Sequence, residues 1–185
     1  MQTRLVIAIV TFLTLVTLQG VRAQSPITDP SDNGCAAFID AAEIAYEIPR
    51  GLLMAIGVAE SRLTPLAVNR SGRTYTPASY NEAAALLRDA SGQPHANVSV
   101  GCMQIFARVH LDEVDGNPAA FLDPATNVDY AARLLVFLHE HTGSWRDAVG
   151  RYHAGPTSPN FERYICAIDR QVQALGGAIS LGCGS

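Results

Sequence analysis

The chain has 185 residues, 13 basic and 17 acidic side chains, and a formal net charge of −4. Every basic residue is Arg, and the absence of a basic stripe excludes the electrostatic footprint of a nucleic-acid binder. Cysteines at 35, 102, 166 and 183 make an even set, which suggests two disulfides in an oxidising compartment, with three connectivities open.

Arg4 precedes an uncharged apolar run, residues 5–18, and Val21-Arg22-Ala23 offers a small-x-small cleavage site before Gln24. This is the pattern of a secretory signal peptide. The run is shorter than the ~20 residues that span a bilayer. Residues 1–23 are therefore read as a leader, 24–34 (QSPITDPSDNG) as a flexible lead-in, and 35–185 as one domain. No stable membrane insertion is expected after cleavage. A domain of that size can bury a real core.

From there the chain reads as helices. Cys35, Phe38, Ile39, Ala42 and Ala45 share one face of a first helix over 35–47. Pro49 suits the first turn of a second, which runs to about Ser61. Residues 64–79 carry Pro65, Gly72 and Pro77 and read as loop, with room for a short hairpin around Arg70–Tyr75. Ser79 and Glu82 form a capping box before a third helix of about ten residues. The segment 91–98 is loop, and 100–113 suggests short helical turns. Pro118 and Pro124 bracket another loop, and Thr126–Asp129 caps a long helix that ends at Thr142-Gly143. Ser144 caps the next, stopped by Gly155-Pro156. The last spans 159–175, with Phe161, Tyr164, Ile165, Ile168, Val172 and Leu175 inward. No convincing strand run appears, so the fold class is mainly α.

Three stretches could carry chemistry. LLMAIGVAESRL (52–63) is a small and apolar helix that ends on Glu60. A carboxylate beside apolar surface is poorly solvated, which favours its neutral, proton-donating form and suits a general acid. Gly101-Cys102-Met103-Gln104-Ile105 presents one amide, able to donate and to accept, within an apolar segment. Gly150–Gly155 aims Tyr152 from a helix end toward a cleft. His139-Glu140-His141 is no metal site, because residues i and i+2 diverge on a helix. No phosphate-binding glycine loop or Gly-x-Ser-x-Gly elbow occurs, and no metal or cofactor is expected.

Taken in order, Glu60-Ser61, then Gly101–Ile105, then Asp123-Pro124-Ala125-Thr126-Asn127, then Tyr152–Gly155 resemble the lytic transglycosylase domain of the soluble-lytic-transglycosylase, goose-type-lysozyme-like superfamily. The resemblance covers about residues 35–170. Cys102 and His153 stand where Leu and Asn are more usual, as in a subgroup with Gly-Cys-Met-Gln and Tyr-His. The resemblance implies a lysozyme-like single domain that cleaves the β-1,4 bond between N-acetylmuramic acid and N-acetylglucosamine and leaves 1,6-anhydromuramic ends. Glu60 would be the sole general acid and base. Ser61 would hold the muramyl acetamide, Met103 would pack on a sugar face, Gln104 would bind glycan polar groups, Tyr152 would hydrogen-bond near Glu60, and Tyr164 would belong to the cleft wall. The order of motifs suggests a Cys35–Cys102 disulfide, and proximity in sequence a Cys166–Cys183 one.

The partners implied are peptidoglycan strands and, from similar transglycosylases, a secretion or envelope complex. The location implied is the bacterial periplasm or the exterior. Two other readings fit the same residues: a hydrolytic lysozyme-type muramidase, and a non-catalytic glycan-binding or assembly factor. Intact Glu60 argues against the second. If hydrolysis applied, Glu82, Asp89 and Asp123 would be the candidates for a second carboxylate.

Overall fold

The computed structural model describes residues 34–183, so the predicted leader and nearly all of the lead-in lie outside the described residues. The elements in chain order are helix α1 (Gly34–Ala45), helix α2 (Leu52–Ser61), strands β1 (Val68–Arg70) and β2 (Arg73–Tyr75), and helix α3 (Tyr80–Leu86). There follow β3 (Val98–Val100), β4 (Ile105–Phe106), α4 (Ala107–His110), 3-10 turns at Leu111–Val114 and Pro118–Leu122, then α5 (Pro124–Thr142), α6 (Trp145–His153) and α7 (Phe161–Ala174). The fold is mainly α, lysozyme-like, with a small sheet. No helix among the described residues is long and apolar enough to cross a membrane.

Helix α2 is the hub. Leu52, Leu53, Ala55, Ile56 and Gly57 are buried, and a helix apolar on nearly every side must sit inside its neighbours. It packs on α1 and α7, while α5 joins α1 to α6. Its start differs from expectation. Pro49 lies before the helix, because Gly51 turns in the left-handed region (φ 86°) and the cap comes from a distance. The buried Glu43 carboxylate accepts from the amides of Gly51 (2.7 Å) and Met54 (3.0 Å). A negative charge at the positive end of a helix compensates both groups.

Helix α5 also begins earlier than the sequence suggests. Asp123 is its N-cap, accepting from the Thr126 amide at 2.9 Å, and Pro124 takes the first turn. Asn127 is thereby freed to face inward. The Pro118–Pro124 segment, expected as loop, holds a 3-10 turn that buries Phe121 and Leu122. The inward set of α7 is as expected except at its end: Leu175 lies beyond Ala174 and is exposed.

The strands are the larger correction. The 70–75 hairpin is present, but it belongs to a four-stranded antiparallel sheet in the order β2-β1-β3-β4, with the other two strands in segments expected as loop and helical turns. Each strand has only two or three residues, too few for the alternation that marks a strand in sequence. Disulfides join Cys35 to Cys102 and Cys166 to Cys183. The first ties α1 to the Gln104 segment. The second pins the C-terminal tail to α7, where buried Asp169 also accepts from the amides of Leu181 (2.7 Å) and Cys183 (3.1 Å).

Candidate active site

A cleft of about 510 Å³ runs between the sheet and the ends of α2 and α6, lined by Glu60, Gln104, Tyr152 and His153 among others. Glu60 sits in the last turn of α2, its side chain only 14 % exposed. The helix is closed behind it by Arg62 and Leu63, both in the left-handed region (φ 56° and 59°). Their amides bond back to Val58 and Gly57, so the chain turns sharply away and leaves the carboxylate facing the cleft.

One side chain hydrogen-bonds a carboxylate oxygen and a second lies beside it. The Tyr164 hydroxyl donates to Glu60 Oε1 at 2.6 Å. The His153 Nδ1 lies 3.4 Å from the same oxygen, and its ring stacks on Tyr164 with centroids 4.1 Å apart and planes within 5°. Burial, with the Glu60 charge close by, pushes the Tyr164 phenol well above its ordinary value; Tyr152 is raised the same way and by the same leading cause. Both hydroxyls therefore stay protonated and act as donors at any working pH. Gly150 allows α7 to come this close: a Cβ there would meet the Phe161 ring at 2.4 Å.

Gln104 has φ 49°, an uncommon conformation for a residue with a side chain, of the kind that clusters at functional sites. Its amide nitrogen faces two carbonyls, Ala67 at 3.2 Å and Gly101 at 2.9 Å, which fixes the orientation of the group. Its Oε1 has no protein partner among the described residues and is the acceptor left for a ligand. The loop carrying it is clamped by Asn127, fully buried, which accepts from the Met103 amide (2.8 Å) and donates to the carbonyls of Val100 (2.9 Å) and Phe121 (3.0 Å). Gly101 is required there: its φ is +79°, and a Cβ would stand 2.5 Å from the Asn127 side chain.

Three expectations for the site change. Met103 is fully buried and cannot pack on a sugar; its sulfur lies against α2, near where a Gly57 Cβ would be, because the Asn127 clamp turns the side chain inward. Ser61 does not line the cleft; its hydroxyl donates to the Cys102 carbonyl (2.7 Å) and accepts from the Thr64 amide (3.0 Å), bracing the helix end to the Gln104 loop. Tyr152 stands near Glu60 in the cleft and donates to the Met103 carbonyl at 2.8 Å, whereas Tyr164, expected on the cleft wall, is the direct partner of Glu60. Tyr164 lines instead a small neighbouring hollow with His153, Arg163 and Arg170.

The sequence reading missed the opposite wall. Register pairs Thr74 with Asn69, Asn69 with Ser99, and Ser99 with Phe106, so one residue from each strand forms a row across the sheet. All four line the cleft. His110 joins them, its Nδ1 2.6 Å from the Tyr130 hydroxyl; burial lowers its pKa, against an opposing pull from Glu113. Only the cross-strand register brings these polar residues together, and three-residue strands gave no signal of it.

Glu60 is the one carboxylate among the residues lining the cleft. Glu82 spends its carboxylate on the Ala78 amide, Asp89 on Ser91 and Gln93, and Asp123 on the α5 cap. Among the described residues no group of His, Cys, Asp and Glu could hold a metal ion. No curated protein and no solved structure matches the chain. Residues 37–163, more than half of it, match the family model described as Transglycosylase SLT domain. That span holds Glu60, Gln104, Tyr152 and His153 and stops one residue before Tyr164.

Proposed function

The chain belongs to the SLT transglycosylase family, whose domains act on peptidoglycan outside the cytoplasm as lytic transglycosylases, and on that footing we propose that Glu60 works alone as both acid and base to leave 1,6-anhydromuramic ends. Glu60 gives its proton from Oε2 to the oxygen joining muramyl C1 to the next sugar. The C1–O bond breaks, its electrons go to that oxygen, and the N-acetylglucosamine leaves with a free 4-hydroxyl. The muramyl acetamide shares the positive charge left at C1. The Glu60 carboxylate then takes the C6 hydroxyl proton as O6 closes on C1, which restores the acid.

The observation that carries this reading is the single carboxylate in the cleft. Hydrolytic glycosidases generally use two, roughly 5–9.5 Å apart, one of them to attack carbon or activate water. A tethered hydroxyl needs no such partner, because its effective concentration is already high. Tyr164 orients the carboxylate, Gln104 Oε1 accepts from a glycan hydroxyl or acetamide N–H, and Tyr152 braces the Gln104 loop through the Met103 carbonyl. Residues 1–23 serve as an export leader that brings the domain to the periplasm or exterior, where its disulfides persist. A secretion or envelope complex is the partner class this placement suits.

Digestion of purified sacculi in heavy-oxygen water tests the chemistry. The new muramyl ends are expected unlabelled and lighter by one water than hydrolytic products. Reducing ends carrying the heavy oxygen would establish a muramidase instead.

A further inference from the structure

We propose that His153 is a positioning residue for Glu60: its Nδ1–H is the second donor to Oε1, and its ring clamps the first donor, Tyr164, in place. The proposal rests on Glu60 being the proton donor. Nδ1 is the His153 atom that faces Oε1; at 3.4 Å it is longer than a formed hydrogen bond, and it can donate to that oxygen only in the Nδ1–H form. The flat stack on Tyr164 fixes the imidazole plane, and with it the direction of that N–H. Tyr164 and His153 thus both sit on the Oε1 side of Glu60, and Oε2 is left for the glycosidic oxygen.

The arrangement favours one step over another. While Glu60 holds its proton on Oε2, a donor at 3.4 Å gains little. As the proton moves to the leaving oxygen, charge grows on the carboxylate and the same donor is drawn in. Catalytic hydrogen bonds are commonly long before substrate binds and tighten as charge develops. An interaction stronger in the transition state than in the ground state raises kcat and leaves KM alone. His153 is 40 % exposed at the last residue of α6, so its replacement is expected to leave the fold intact.

Two substitutions separate the ring from the donor. His153→Phe keeps the stack and removes the N–H; kcat on soluble glycan strands is expected to fall about tenfold or more, the scale of one hydrogen bond to a charged group, with KM within about twofold. His153→Asn places an amide N–H near the Nδ1 position and is expected to restore kcat to within about threefold of wild type. Wild-type kcat in His153→Phe would overturn the proposal, as would a change confined to KM or an Asn variant as slow as the Phe one. Nitrogen-15 correlation spectra of histidine-labelled wild-type protein give a check independent of turnover: neutral His153 is expected as the Nδ1–H tautomer, and the Nε2–H tautomer would refute it. Failure of the Glu60 assignment shows separately, as lysis by Glu60→Gln.

Discussion

The two walls of the cleft are built on opposite terms. The helical wall, α2, α6 and α7, is held by apolar packing, by the close approach at Gly150, and by the Cys166–Cys183 bond with Asp169 beside it. Each reactive side chain there is fixed by another, Glu60 by Tyr164 and Tyr164 by His153. The sheet wall has strands of two or three residues, and its outermost hairpin is mostly exposed. At a strand spacing of ~4.8 Å its row Thr74–Asn69–Ser99–Phe106 extends about 14 Å across the cleft. In the proposed mechanism the proton donor must be held to a fraction of an ångström, and Glu60 sits where position is overdetermined. Recognition of a polymer can be shared among several weak contacts, the role we propose for the polar row on the thinner wall.

The strongest test of that division is Glu60→Gln. The amide keeps shape but cannot give and retrieve a proton, so lysis of sacculi is expected to fall about 10²–10⁴-fold. The thermal midpoint should stay within a few degrees of wild type. More than about a tenth of the activity retained would remove Glu60 from the mechanism.

Next in size is a substitution where the walls meet. Asn127→Ala strips partners from the Met103 amide and from the carbonyls of Val100 and Phe121, all in a buried site. Each orphaned group costs ~1–3 kcal/mol, so a loss of about 3 kcal/mol or more is expected in denaturant unfolding. Activity should fall with stability, because the same clamp positions Gln104. A stable Asn127→Ala enzyme would mean that the Cys35–Cys102 bond, with Ser61 and Tyr152, holds the loop without the clamp.

How much of this was readable in advance also divides along the walls. The inward face of α7 follows from apolar spacing over more than ten residues, that of α1 only in part, since Phe38 and Ala45 are exposed, and Glu60 stands out because it ends an apolar run. Gln104 and Tyr152 stood out through their motif context. The sheet row was not legible, since it is a property of register between segments thirty residues apart. Nor was the direct bond from Tyr164 to Glu60, which depends on how tightly α7 approaches α6. Met103 was misplaced for a related reason. An apolar residue beside a cleft motif fits either a sugar face or the core, and only Asn127, reaching in from α5, decides between them.

Tyr164→Phe removes the donor of the helical wall and keeps its packing. About a tenfold fall in kcat is expected, with KM little changed, from the loss of one hydrogen bond to a charged group. The same side chain predicts an alkaline limit. Tyr152 and Tyr164 are raised in the folded state relative to an ordinary phenol of 10.0, so the native form holds those protons more tightly than the unfolded chain. Their contribution to stability is full below about pH 10 and is lost as pH rises above it. Thermal midpoints measured from pH 9 to 12 should decline above pH 10, and a Tyr152→Phe, Tyr164→Phe double variant should decline less steeply.

The smallest effect belongs to the sheet wall. Thr74 is exposed, and its hydroxyl oxygen lies at 3.5 Å from the Asn69 amide nitrogen, a weak contact that leaves the Thr74 hydroxyl proton free for a ligand. Ser99 is half-buried beside Asn69 on the neighbouring strand. Neither touches Glu60 or its two partners. If the row binds glycan uniformly through the reaction, removing its hydroxyls weakens ground state and transition state alike. Each exposed hydrogen bond is worth about 0.5–1.5 kcal/mol, so the Thr74→Ala, Ser99→Ala double variant should raise KM about 5–150-fold and leave kcat unchanged. Short glycan strands sharpen the test: a fragment too short to reach the row should be cleaved equally by variant and wild type. A fall in kcat at unchanged KM would place the sheet in the chemistry itself, and the division between a wall that reacts and a wall that recognises would be wrong.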